Sequence, residues 1–192
     1  SRLRYCVSII QMARAAEPGR NGARPCGPAG RRGSGLEGRP PCRPPGFCKR
    51  LTGERAMKVL IPLAEGVEEI AAVVAIDVLR RAGITVTTAA VGSERTVTAS
   101  RGVALVADTL WRDVDTAAFD ALVLPGGGPG TERLKADKRV LEAVAVFDAK
   151  GKTVAAICAA PTVLAAAGVL NGRAATCYPG CEKELKGARY TA

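Results

Sequence analysis

The chain has 192 residues, with 28 Lys or Arg against 18 Asp or Glu, seven cysteines and no histidine. The missing histidine excludes mechanisms built on a Cys-His or Ser-His pair, and no run of about 18 apolar residues is present to cross a membrane as a helix. Nine of the ten net positive charges fall in residues 1–56, which hold twelve Lys or Arg and three acidic residues, so the remainder is close to neutral.

Residues 1–56 also carry nine Gly, seven Pro and four of the cysteines. Hydrophobic periodicity is nearly absent after Ile10. Such a composition buries too little apolar surface to offset chain entropy, so a disordered basic extension is expected. Three readings of it stand open. A transit peptide fits the basic, acid-poor composition but not the three serines. An arm that binds nucleic acid is disfavoured by the scarcity of aromatics and the lack of a motif. Translated upstream sequence is suggested by Met57, directly ahead of the first strand, and is preferred. Cys6, Cys26, Cys42 and Cys48 lie twenty, sixteen and six apart, not in paired CxxC knuckles, so no metal is expected there. The remaining Cys158, Cys177 and Cys181 suit a reducing compartment. The expected location is cytoplasmic, or a chloroplast or mitochondrion if the extension is a transit peptide.

In residues 57–192 strands and helices alternate as in a parallel sheet covered by helices. Residues 57–63 read as a short apolar strand, 68–82 as a helix stopped by Gly83, and 84–91 as a second strand. Residues 96–99 and 103–108 form a hairpin-like pair turning at Ser100-Arg101-Gly102. Residues 120–124 are the next core strand and run into Pro125-Gly126-Gly127-Gly128-Pro129-Gly130. A helix over 138–150 ends at Gly151, a strand covers 153–157, and 173–177 is a last strand candidate. The fold class predicted is α/β, a flavodoxin-like three-layer sandwich with a mostly parallel sheet.

Thr153-Val-Ala-Ala-Ile-Cys158-Ala-Ala-Pro carries the chemistry. A strand that turns sharply into a helix at one cysteine, with small residues two before and two after it (Ala156 and Ala160), is a nucleophile elbow. Unpaired N–H groups at the start of the following helix favour a thiolate there. A free cysteine also serves as a small buried hydrophobe, but the strand, the small flanks and the helix together favour a reactive Cys158. The glycine run after the 120–124 strand lies where open α/β sheets bind ligands. It lacks the GxxxxGK[ST] form of a phosphate loop. Its expected role beside an elbow is half of an oxyanion hole, with the Gly127 and Ala159 N–H groups as donors near Cys158.

The stretches VLIPLAEGVEEI, AIDVLRRAGITVT, ASRGVALVAD, FDALVLPGGGPG and VAAICAAPTVLAAAG resemble the ThiJ/PfpI superfamily, in the branch of the parkinsonism-associated deglycase and its YajL-like bacterial relatives. The resemblance implies a flavodoxin-like homodimer with the cysteine at the elbow. It implies cofactor-independent glyoxalase or protein deglycase activity on methylglyoxal or glycated groups, and a part in the response to oxidative stress. The substrate is then a small reactive carbonyl, with no cofactor, no metal, no membrane and no nucleic acid as partner.

The chain departs from that pattern in three places. The family's G-x-E-E-x-E motif reads Gly66-Val67-Glu68-Glu69-Ile70-Ala71, so Ala71 stands where the family has the glutamate beside the cysteine. Its loss removes a proton shuttle of the kind worth about 10² to 10⁴ in rate, which leaves a non-catalytic redox sensor or chaperone-like pseudoenzyme as the alternative. Glu68 is the nearer substitute acid or base, though an acidic residue at a helix N-terminus is accounted for by the dipole alone. Tyr178 occupies the place of a histidine found in several relatives. The family continues past the equivalent of Ala192 through another strand and closing helices, so 57–192 is expected to be incomplete at its C-terminal end. By analogy Arg81 and Arg101 lie towards the dimer interface and the mouth of the site, as candidate anion contacts.

Overall fold

The computed structural model describes residues 56–191. The extension read in residues 1–56, with its four cysteines, lies outside them except for Ala56. Strands β1 (Lys58–Leu63), β2 (Thr85–Ala90), β5 (Thr109–Leu110), β6 (Ala121–Leu124) and β7 (Thr153–Ala156) form one parallel sheet in the order β5-β2-β1-β6-β7. The run β2-β1-β6-β7 is the flavodoxin-like order, and the two-residue β5 extends it beyond β2.

Alternation along each strand sends side chains to two cores. Val59, Ile61 and Leu63 of β1 join one cluster with Ala72, Val86 and Val97, while Leu60 joins the other with Leu122, Leu124 and Val154. Helix α1 (Glu69–Arg81) and the hairpin β3 (Thr96–Thr98) with β4 (Ala104–Val106) cover the first face. Helices α2 (Gly128–Ala136), α3 (Lys138–Ala149) and α4 (Pro161–Ala166) cover the second, through Leu134, Val144, Phe147 and Leu164. The three expected layers are therefore present, and a sheet buried on both faces explains why its strands are rich in Val, Leu and Ala.

Helix α1 starts and stops on local chemistry. Glu68 is its N-cap, with Oε2 accepting the Ala71 N–H at 2.7 Å. At the far end Gly83, at φ 77, donates to Arg80 O, and Ile84 donates to Leu79 O. Those two bonds make a Schellman stop, with Arg80 and Arg81 set against the negative end of the dipole. Ala71 and Ala72 are buried, and Ile76 and Leu79 pack beside them. Ile70, Val73, Val74 and Val78 are exposed.

Several elements differ from the sequence expectation, among them β5, which no predicted strand covers, and β4, shorter than the predicted 103–108. The glycine run continues directly into α2, because Pro129 in the first turn needs no N–H partner. The candidate strand 173–177 shrinks to β8 (Ala174–Ala175), which pairs in parallel with β9 (Arg189–Tyr190) in a separate two-stranded sheet. The chain reverses its side of the sheet between β1 and β6, so the crevice at their carboxyl ends is the expected ligand site.

Candidate active site

β7 brings the chain to that carboxyl edge, and there Cys158 takes φ 63, alone among the described non-glycine residues in having a positive φ. An L-residue held in this region costs about 1–3 kcal/mol. Three bonds hold it there. Ile157 N–H donates to Leu124 O at 3.1 Å, Ala160 N–H to Ile157 O at 3.1 Å, and Tyr178 N–H to the Cys158 carbonyl at 2.7 Å. Ala156 and Ala160 are both buried, so larger side chains would find no room at the turn. The elbow read from the sequence is present in the backbone.

Gly126 lies against the sulfur. A Cβ built on it would come 2.6 Å from Cys158 Cβ, 3.0 Å from Ile157 O and 3.2 Å from Sγ. Gly127, at φ 101, packs so tightly under α1 that a Cβ would meet Glu68 N at 2.4 Å and Gly66 O at 2.6 Å. The Glu68 N–H donates to Gly126 O at 2.9 Å, and Gly130 N–H to Gly66 O at 3.1 Å. The glycine loop is thereby fixed between the start of α1 and the elbow. Neither the Gly127 N–H nor the Ala159 N–H has a hydrogen-bond partner among the described residues, so both remain able to bind an incoming oxygen.

The acidic residues are committed elsewhere to different degrees. Glu68 caps α1, with one carboxylate oxygen on the Ala71 N–H. Glu69 accepts from Ser100 Oγ at 2.8 Å and from the Arg101 N–H at 2.9 Å. The bond to its own backbone N–H, then those to Ser100 and Arg101, hold its carboxyl below the usual value. Ala71 is buried at the first turn of α1 and brings no polar atom to the site. Arg81 is paired with Asp77 at 2.8 Å, and the Arg101 guanidinium donates to the Ser100 carbonyl at 3.3 Å.

The backbone of Tyr178 supports the elbow while its side chain is exposed. This support spans twenty residues and had no sequence signal. Cys181, one turn further on, is half-buried against the core of the second face. A recess of about 170 Å³ is lined by Glu65, Gly92, Ser93, Glu94, Thr96 and Val97, and Cys158 is not on its wall. Among the described residues no group of His, Cys, Asp or Glu is arranged to hold a metal ion, and no helix is long and apolar enough to cross a membrane.

A parallel α/β sandwich with a strained cysteine at the elbow and a glycine loop packed on its sulfur defines the class of cysteine-elbow proteins. The DJ-1/PfpI family model matches residues 57–192, and the chain belongs to that family. It is 49% identical over 123 residues to DJ-1 homolog B of Arabidopsis thaliana, covering 64% of this chain and 28% of that protein. It is 42% identical over 126 residues to dj-1beta of Drosophila melanogaster, covering 66% and 67%. A protein of Pyrococcus abyssi named a deglycase is 34% identical over 129 residues, covering 67% and 76%. The crystal structure of Drosophila DJ-1beta superposes with a TM-score of 0.69 at 39% identity, covering 71% of this chain and 70% of that one. The chain spans only about a third of the length of the Arabidopsis relatives, 28% of homolog B and 34% of homolog A.

Proposed function

We propose that the chain is a cofactor-independent glyoxalase or deglycase-like enzyme that acts on methylglyoxal or glycated groups through Cys158, with a part in the response to oxidative stress. The observation that carries this reading is the left-handed Cys158 set against Gly126, with two unpartnered N–H groups, on Gly127 next to Gly126 and on Ala159 next to Cys158.

The Cys158 thiolate attacks the aldehyde carbon, a C–S bond forms, and the carbonyl π electrons move to oxygen. The Gly127 and Ala159 N–H groups stabilise that oxyanion, and its protonation gives a hemithioacetal. The proton on the carbon bearing sulfur then moves to the neighbouring carbon while the hemithioacetal hydroxyl proton passes to the former ketone oxygen, the isomerisation of an α-hydroxy ketone through its enediol, and the product is a thioester of lactate. Water cleaves the thioester to lactate and returns the thiolate. The proton step needs a shuttle, and Glu68 is the proposed group, since Ala71 offers none.

The buried methyl of Ala71 favours a second reading, a redox sensor or chaperone-like pseudoenzyme in which Cys158 is oxidised and no substrate turns over. The two readings part in one assay, lactate formation from methylglyoxal by the full chain and by Cys158→Ser. Turnover that disappears in the serine variant supports the enzyme, whereas none from folded parent protein overturns it in favour of the sensor. The exposed apolar row Ile70, Val73, Val74 and Val78 supports the further proposal that a second copy of the chain packs on α1 as a homodimer.

A further inference from the structure

Cys181 has no part in that chemistry, yet three observations tie it to the elbow. The Tyr178 N–H donates to the Cys158 carbonyl at 2.7 Å, and the Cys181 N–H returns to Tyr178 O at 3.1 Å. Cys181 thus sits at the end of a tight turn, of a type that spans less than about 7 Å between its end Cα atoms, and the start of that turn is bonded to the nucleophile's own peptide. The segment after the turn is pinned from outside, because Glu184 binds Lys135 of α2, which also holds Glu132. Finally, Cys181 is half-buried against the same core cluster that holds Ala160, two residues after the nucleophile.

We propose that Cys181 is the resolving cysteine of Cys158, so that oxidation by a hydroperoxide ends in a Cys158–Cys181 disulfide. The inference rests on Cys158 being reactive, as argued above. In the first step the thiolate attacks the distal peroxide oxygen, the O–O bond breaks, and with one proton the products are a Cys158 sulfenic acid and an alcohol, or water when hydrogen peroxide is the oxidant. In the second step Cys181 sulfur attacks the sulfenic sulfur, an S–S bond forms, and hydroxide leaves as water with the thiol proton. Each disulfide therefore consumes one peroxide.

The order of events follows from the surroundings. Burial pushes the Cys181 thiol up, and the negative charges of Glu184, Cys158 and Glu182 add to that against the opposing Lys135. A thiol kept protonated is a poor first target for peroxide, so Cys181 stays reduced until Cys158 has been oxidised. Loss of the Cys158 charge on sulfenylation then removes one of the influences that hold the Cys181 proton. A disulfide formed here also spares Cys158 from sulfinic acid, which ordinary thiols do not reverse. Cys177 is the competing partner in sequence, but it is buried in the core.

The test treats the full chain with hydrogen peroxide, blocks remaining thiols with iodoacetamide, and digests with trypsin without reductant. The expected product is residues 153–173 linked to 174–183, two hydrogens lighter than the separate peptides and released by dithiothreitol. The link persists in Cys177→Ser. In Cys181→Ser it is lost and Cys158 gains two oxygens instead. A parent protein whose Cys158 goes to sulfinic acid without the link overturns the resolving role but leaves Cys158 reactive. A parent protein whose Cys158 stays a free thiol overturns the resolving role and the reactive cysteine together, and a link that survives in Cys181→Ser assigns the role to Cys177.

Discussion

Replacing Gly126 with alanine puts a methyl carbon where the elbow already sits. The new carbon would lie 2.6 Å from Cys158 Cβ, 3.0 Å from Ile157 O and 3.2 Å from Sγ. The first distance is far inside van der Waals contact, and the atoms met are backbone or a short side chain that no rotamer change clears. Either the glycine loop or Cys158 must move by about 1 Å. Overpacking of this kind costs about 1–3 kcal/mol, or roughly 4 °C of Tm per kcal/mol in a domain of this size. Misplacement of a reacting group by about 1 Å costs about 10²-fold in rate. Gly128→Ala is the control. Apart from its chain neighbours its Cβ meets nothing within 4 Å; a Cβ directly before Pro129 disfavours the helical conformation there, so that variant loses up to about 1 kcal/mol of stability while the alkylation rate of Cys158 stays at the parent value. The assays are lactate formation from methylglyoxal and the rate of iodoacetamide alkylation at Cys158, read by peptide mass, so that reactivity is measured apart from turnover. Parent rates in Gly126→Ala, or an equal loss in Gly128→Ala, would refute the packing of the glycine loop on the sulfur.

Three further predictions concern the acid, the charge network and the interface. Ala71→Glu restores a carboxyl in the first turn of α1 and should raise methylglyoxal turnover by about 10²-fold; an unchanged rate in folded protein would show that the shuttle lies elsewhere. Burial alone would raise the Asp108 carboxyl, but bonds from the Thr88 N–H and hydroxyl and the charges of Arg80 and Arg95 outweigh it and hold it below its usual value of 3.8. With the folded-state value depressed, Asp108 contributes stability above that pH and loses it as pH falls further. Because the side chain is about half exposed, Asp108→Asn should cost only about 0.5–1 kcal/mol in urea unfolding at pH 7, with the deficit closing in acid; a deficit constant with pH would contradict this. Val78→Glu puts a charge in the exposed apolar row of α1 and should shift the sedimenting species from dimer to monomer, whereas a dimer that survives would move the interface away from α1.

Much of the site was legible because an elbow constrains several positions at once. Ala156 and Ala160 had to be small for the turn to close, Cys158 alone fitted the corner, and the sheet edge followed from the strand before it. Both strand faces were equally readable, since Val59, Leu60 and Ile61 are all apolar and only a sheet covered on two sides buries such a run. Helix α2 was not readable, because Gly128-Pro129-Gly130 has the composition of a turn, and what makes it helical is the packing of Leu134 and Thr131 on the far side of the sheet. Along α1 the apolar residues encircle the helix, so the sequence could not say which of them would meet the sheet; the structure buries the small Ala71 and Ala72 and leaves the valines outside. Glu68 illustrates a residue whose local role was legible while its chemical one is not, since capping follows from position and proton transfer depends on what stands opposite. The approach of Cys181 to the elbow rests on the Tyr178 bond across twenty residues, a tertiary contact without local pattern.

The most direct test is to find where methylglyoxal becomes covalently attached. The full chain is mixed with substrate, quenched in acid within one turnover, and digested. The expected result is the mass of one methylglyoxal on residues 153–173, located at Cys158, and no lactate from protein whose Cys158 has been alkylated beforehand. Lactate formed at the parent rate after complete alkylation of Cys158 would contradict it.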